Sequence, residues 1–401
     1  MVKPRKITFN LYSAWIFVIV ALFFYSFTQI DLGLTLIRFS FWPGIQKNFQ
    51  SIGYFNRPLS TALYLGILFL LFGFYLLLLR NIQEKRLRSS SLWKLILATM
   101  AILWFSYPAF SHDIFNYIFD AKIVAFYHQN PYQVKPLDFP ADPMLGFMHW
   151  THRPSIYPPL WIGLSVFPFF LGLGKFILQL LSFKLMISGA YLGTVWLIWK
   201  IAKILTPKKK MLSVAFYALN PLVLIESLVS AHNDGVMIFF AFLGFYLLLK
   251  RKKILSLPPW LFSMGIKFIT AALLPVFGFT FWQAVRRKRP NGGFLVKLSL
   301  VLLSFSVIFV SYRIGFQPWY LLWILPFMAL VAFERRLYLF LFVSLFLGTL
   351  LRYTPFLYLG NWDPPVPEVK LKLTLLFLIA GVIFYFLGLA KEKIIEKKTQ
   401  N

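Results

Sequence analysis

Seven short clusters of Lys and Arg punctuate this chain, at 3–6, 80–94, 200–210, 250–253, 286–289, 335–336 and 391–398. Between them run apolar stretches of roughly 17 to 24 residues, long enough to cross about 30 Å of hydrocarbon. In lipid every backbone N–H and C=O needs an internal partner, so such stretches cross as helices. The expected fold is all-α: a polytopic transmembrane bundle of about 12 spans with interfacial or re-entrant helices. Composition agrees, with 59% hydrophobic residues against about 45–50% in soluble domains. The net charge of +28 sits in loops rather than along one face of a soluble domain, so nucleic acid is excluded as a partner. The clusters instead predict cytoplasmic loops facing an anionic lipid surface. With no cysteine, disulfides, thiolate metal sites and cysteine nucleophiles are excluded. The basic start is followed by an apolar run to about Ile30 without a small-residue cleavage site, which reads as a retained first span.

Charge bias orders the spans. With the N-terminus inside, spans fall near 7–30, 58–79 and 93–110, and the loop 111–155 is then external. A crossing by 156–173 would place the cluster at 200–210 outside, so this segment, with Pro158, Pro159 and Pro168, is expected to lie along the outer interface or to be re-entrant. Further spans are expected near 176–199, 211–227, 235–249, 295–312, 319–333, 337–352 and 371–390. Two short helices near 254–266 and 268–284 make a hairpin with Lys267 at its tip. Both termini fall in the cytoplasm of a plasma-membrane protein. Three parts are expected: an N-terminal hairpin at 1–91, a catalytic module at 92–335, and a C-terminal hairpin with a basic tail at 336–401. On this topology all five histidines lie outside, as do Asp113, Asp120, Asp138, Asp142 and Asp234.

The chemistry concentrates in SYPAFSHDIFNYIFDAKIVAFYHQNPY at 106–132. An ionisable pair, His112 and Asp113, stands at the exit of a span, where charge is costly and a carboxylate is a functional hypothesis. Asp113 suits a general base toward a hydroxyl; the structural alternative is an N-cap for a helix over 114–126. Asn220-Pro221 and His232-Asn233-Asp234 bracket a later external turn. Asp234 is there a second catalytic acid or another N-cap, and His232 and Asn233 are candidates for binding a sugar or phosphate. Lys267 and Arg313 either snorkel to headgroups or hold an anionic phosphate. Trp319 and Tyr320, in QPWYLLW at 317–323, belong to an aromatic belt or to a groove for a lipid chain. His128, Asn130, Tyr132 and Tyr157 complete the candidate substrate contacts. No Gly-rich phosphate loop, GxSxG or HExxH occurs. A divalent metal has no linear signature here, so no cofactor is required by the sequence.

The ordered set resembles the GT-C superfamily of multi-pass membrane glycosyltransferases: an external Asp, an aromatic helix ending in NPY, YPPL, NP before HND, a lysine embedded in an apolar run, and QPWYLLW. It is most similar to bacterial polyprenyl-phosphate-mannose-dependent mannosyltransferases, over about residues 92–335. The resemblance implies an enzyme moving a hexose such as mannose from a polyprenyl phosphate to an acceptor hydroxyl on a glycan, glycolipid or protein at the outer face, with inversion. Asp113 matches the position of the family's catalytic acid, and Asp234 matches a second acid. Lys267 or Arg313 matches a basic residue holding the lipid phosphate. Asp31 also follows a first span, which offers a second choice for the catalytic loop. A transporter and a lipid-linked glycan ligase remain open alternatives at this point.

Overall fold

The computed structural model describes residues 5–400 apart from 287, 289, 290 and 335. Parts of the basic clusters at 3–6, 286–289 and 335–336 lie outside these residues. Among the described residues there is no strand. The helices are α1 (Arg5–Phe27), α2 (Trp42–Gln50), α3 (Arg57–Gln83), α4 (Ser89–Trp104), α5 (Asp113–Ala125), α6 (Pro159–Leu171), α7 (Phe176–Leu205) and α8 (Lys210–Ala218). They continue as α9 (Pro221–Val229), α10 (Asp234–Leu249), α11 (Lys253–Ile266), α12 (Leu274–Val285), α13 (Gly292–Ile314), α14 (Leu325–Val331), α15 (Arg336–Leu350), α16 (Thr354–Leu359) and α17 (Val366–Gln400).

Among the described residues 7 helices are long and apolar enough to cross a membrane, or up to 8 if α8 and α9, bent by 43° at Leu219-Asn220, form one broken span. This count does not confirm the expected 12, because α4, α6 and α10 are shorter apolar helices. The 13 residues of α6 span only about 20 Å at 1.5 Å per residue. Its partners keep it at one end: Trp161 meets Tyr117 of α5, with ring centroids 5.0 Å apart. The turn that follows feeds α7, whose first residue Phe176 packs on Phe115 and Phe147. Residues 159–171 thus form a short apolar helix packed against α5 and α7.

Several boundaries follow from local chemistry. Asn56 caps α3 by accepting from Leu59 N–H at 3.3 Å, and Asn291 caps α13 through Phe294 N–H at 3.2 Å, the usual role of Asn at a helix start. The Asn220-Pro221 pair does the same for α9, with Asn220 Oδ1 accepting from Leu222 N–H at 2.9 Å. Lys267 is extended (φ −151°, ψ 131°) between α11 and a 3₁₀ turn at Phe268–Leu273, so the expected break falls on this residue.

The directions of the helices sort the loops into two sets. The ends of α7, α10 and α13 meet at Gly292, where an added Cβ would lie 2.6 Å from Leu205 and 3.2 Å from Leu249. Lys297 pairs with Glu334 at 2.8 Å at that same end. The basic loops at 84–88, 206–209 and 250–252 gather there. The loops after α1, α4, α9, α13 and α15 gather at the other end, and the polar chemistry lies with them. This alternation with the helices is what the charge pattern requires. Long apolar helices on this scale make the chain a membrane protein.

Candidate active site

A cavity of about 330 Å³ opens at the loop-rich end. Asp113, His112, His149 and Trp319 line it together with Arg352, Tyr353, Trp362 and Lys370. Residues from all three expected parts of the chain contribute to the site if Asp31, which contacts His112, is counted.

Asp113 reaches the cavity because it is the first residue of α5. Ser111 Oγ, rather than the Asp113 side chain, accepts from the backbone there, at 3.3 Å from Asp113 N–H. The carboxylate is thereby left for other work, at a helix N-terminus that favours negative charge. Its Oδ2 lies 3.4 Å from Nδ1 of His232, a side chain with no exposure. Nε2 of the same imidazole lies 3.3 Å from Oε2 of Glu226. Tyr353 donates its hydroxyl to Glu226 Oε1 at 2.9 Å. A carboxylate–imidazole–carboxylate–phenol chain thus runs from the cavity into the bundle. Trp319 closes it on one face, stacked on His232 with centroids 4.1 Å apart.

The backbone that makes this chain is unusual. Glu226 sits in a π-helical turn at Leu224–Val229, the kind of local widening that recurs at functional sites. Ala231 then takes a left-handed conformation (φ 57°), rare for a residue with a Cβ. That reversal turns His232 toward Asp113 and starts α10 at Asp234. Behind both segments, Lys184 of α7 donates to Leu103 C=O at 3.1 Å, to Ser106 C=O and Oγ at 2.7 Å, and to Val229 C=O at 3.4 Å. One buried side chain therefore ties the end of α4, which leads to Asp113, to the end of α9, which leads to His232.

Burial alone would lower the His232 pKa, but the flanking Asp113 and Glu226 carboxylates outweigh it and push it up to about 9. Burial likewise opposes ionisation of Asp113, yet His232 holds its pKa below the ordinary carboxylate value. Both shifts favour the charged forms of the pair. His232 is more basic folded than unfolded, so its contribution to stability is full below the unfolded value near 6.5 and is lost as pH rises through about 9. The melting-temperature advantage of the wild type over His232→Gln is therefore expected to shrink between pH 6.5 and 9. An advantage constant across pH 6 to 10 would remove the charged imidazole.

The other sequence candidates separate by place. Asp234 has no exposure; Lys267 Nζ lies 2.7 Å from its Oδ2, and Trp323 Nε1–H donates to its Oδ1 at 2.6 Å. Tyr320 packs on Trp323, with centroids 4.7 Å apart. Asp234, Lys267 and Tyr320 form a second polar cluster behind the first. Neither Lys267 nor Arg313, the two cations expected at a phosphate, lines the cavity, and Arg313 is exposed at the end of α13. Asn233 is fully buried, with neither amide atom of its side chain hydrogen-bonded to another protein group. His128 and Asn130 are exposed; Asn130 Oδ1 accepts from Tyr132 N–H at 3.0 Å, and Tyr132 donates its hydroxyl to Tyr157 C=O at 2.6 Å. The Tyr132–Tyr157 bond staples the NPY turn to the start of α6, and none of these four residues lines the cavity. Asp120 is buried behind them, its carboxyl pushed up to about 7 by burial despite a hydrogen bond from Ser155.

Residues 41–283 match the family described as alpha-(1->6)-mannopyranosyltransferase, N-terminal domain. The chain belongs to this mannosyltransferase family. No curated protein and no solved structure matches it significantly. The mannosyltransferase is a membrane glycosyltransferase of GT-C type, with a sugar donor and a glycan acceptor, and the transporter alternative is set aside. The matched segment holds Asp113, Glu226, His232, Asp234 and Lys267.

Sequence reasoning missed Glu226, Arg352, Tyr353 and Lys370. For Glu226 the signal was present: it is the only acid inside an expected span, and ionisable groups there are functional by default. Arg352 lies at the end of an apolar run and reads as a snorkelling residue until its neighbours are known. Its guanidinium donates to Phe316 C=O at 2.8 Å and to Thr374 Oγ1 at 2.8 Å, which fixes it in the cavity wall.

Proposed function

We propose that the mannosyltransferase takes its sugar from a polyprenyl phosphate and transfers it, with inversion, at the outer face of the plasma membrane. The observation that carries this reading is the cavity itself: an ionised carboxylate on one wall and two cations, Arg352 and Lys370, among the residues of the other. Trp362, Phe356 and Leu357 give the same space an apolar side. The adjoining α17 is only 6% buried in its apolar window, so a lipid tail has hydrocarbon next to the cavity while its phosphate meets the cations. The absence of a nucleotide-binding signature in the sequence agrees. The outer-face assignment rests on the basic loops at the opposite end, which belong in the cytoplasm.

In this mechanism Asp113 takes the proton of the acceptor hydroxyl. The hydroxyl oxygen bonds to the anomeric carbon as the bond from that carbon to the phosphate oxygen breaks. The electron pair leaves with polyprenyl phosphate, whose growing charge Arg352 and Lys370 stabilise, the electrostatic role typical of such clamps. His232 and Glu226 orient the base. A single displacement that gives an alpha linkage requires a beta-linked donor. No metal is needed for these steps. Asp234, paired with Lys267, supports the site from behind.

The test is incubation of the purified protein with a panel of sugars on polyprenyl phosphate and on nucleoside diphosphates. Release of polyprenyl phosphate with mannose transfer is expected; transfer from a nucleotide sugar instead would overturn the donor assignment. A charged hydrogen-bond contact is worth about 1.5–3 kcal/mol, so Arg352→Ala is expected to raise the donor KM roughly 10- to 150-fold. Arg313→Ala leaves it unchanged. Equal effects of the two variants would remove the clamp.

A further inference from the structure

Beside the Asp113 chain lies a second group that the proposed transfer does not use. Asp31 follows α1, His112 precedes α5, and His149 comes from the loop before α6. Each offers one ligand atom, and these atoms all lie within 4.8 Å of one another. His112 Nε2 is 2.9 Å from Asp31 Oδ2, and His149 Nε2 is 3.5 Å from Asp31 Oδ1. The two imidazoles lie face to face, with centroids 3.8 Å apart. A structural hydrogen bond to Asp31 needs one imidazole; two of them, stacked on one carboxylate, repel if both are charged.

The spacing fits a shared cation. Bonds of about 2.0–2.2 Å in a tetrahedral zinc site place neighbouring donor atoms roughly 3.3 Å apart, and from the single oxygen Asp31 Oδ1 the two imidazoles lie on either side of that value, His112 Nε2 at 3.1 Å and His149 Nε2 at 3.5 Å. An outer shell is present as well: Tyr107 donates its hydroxyl to Asp31 Oδ2 at 2.6 Å, the kind of bond that orients a ligating carboxylate. The loops are also built to meet. A Cβ on Gly33 would fall 2.2 Å from Gly146 C=O, so the Asp31 and His149 loops approach this closely only because residue 33 is glycine.

We propose that Asp31, His112 and His149 bind a divalent transition metal, zinc by preference, with an open coordination position toward the cavity. Two imidazoles and one carboxylate suit zinc and other borderline metals and disfavour magnesium or calcium. His112 and His149 both line the cavity, so the open position takes water or an oxygen of a bound substrate. The bound metal lies next in sequence to Asp113 and holds the start of α5. This inference stands apart from the donor assignment, because it is read by metal binding rather than by transfer.

The experiment uses the full-length protein in detergent, stripped with a chelator and titrated with Zn²⁺ and separately with Co²⁺. One metal per chain is expected, with a visible Co²⁺ absorption band of a four- or five-coordinate site that Zn²⁺ displaces. His149→Ala, at a half-exposed position (side chain 49% exposed), is expected to keep its melting behaviour and lose stoichiometric binding. Tyr107→Phe weakens binding roughly 10- to 100-fold, the usual cost of losing an outer-shell partner. No stoichiometric binding at 100 µM metal (roughly the weakest affinity of interest for a resident ion), or binding equal in wild type and His149→Ala, would overturn the proposal.

Discussion

Asp113→Asn is expected to lower kcat by about 10²–10⁴-fold, the usual contribution of a general base, with little change in the amount of folded protein. The asparagine is nearly isosteric and stays at the first position of α5, where Ser111 rather than residue 113 serves the backbone. What it loses is the charge that faces His232 and the ability to take a proton from an acceptor hydroxyl. The donor should still bind, because Arg352 and Lys370 are untouched, so KM for the donor changes much less than kcat. Single-turnover transfer measured at saturating donor checks this. Turnover within about threefold of wild type would remove Asp113 as the base. The contrast with Arg352→Ala, which acts on KM, separates the two walls of the cavity.

The second large effect is on stability. Lys267→Met is expected to destabilise the fold by about 3–5 kcal/mol, because it strands a buried carboxylate. Asp234 has no exposure, and Lys267 is its cationic partner at 2.7 Å; Trp323 supplies one further donor. The double variant Asp234→Asn with Lys267→Met removes both charges and should recover most of the loss. Denaturation of the purified variants in one detergent gives both values. A double variant no more stable than the single one would show that the pair does not offset a buried charge. This design also distinguishes support from phosphate binding, since a phosphate clamp at Lys267 would not be rescued by a change at Asp234.

The all-α membrane class was legible because a 3.6-residue helix in lipid leaves a simple record: apolar runs of fixed length separated by cations. The break at Lys267 and the helix beginning at Asp113 were legible for the same local reasons. The span count was not, since α4 and α10 are 16 residues each and a polar loop hides where such a helix stops. At the site, Asp113 and His232 stand 119 positions apart, and each was visible as an unusual charge at the edge of an apolar run. Their contact depends on a π turn and on one left-handed alanine, neither of which has a sequence signature. The cations of the cavity wall, Arg352 and Lys370, were not anticipated for a related reason. Arg313 and Arg352 look alike in sequence, each near the end of a span, and only the packing of α15 against α17 decides which one faces inward.

The fourfold grip of Lys184 has a mechanical consequence for life in a bilayer. Membranes differ in hydrophobic thickness, and spans answer by tilting. Because the segments carrying Asp113 and His232 both hang from a single side chain on α7, a tilt of that helix carries them in the same sense. Thickness then alters how deep the reacting groups sit relative to the headgroups more than it alters the gap between them.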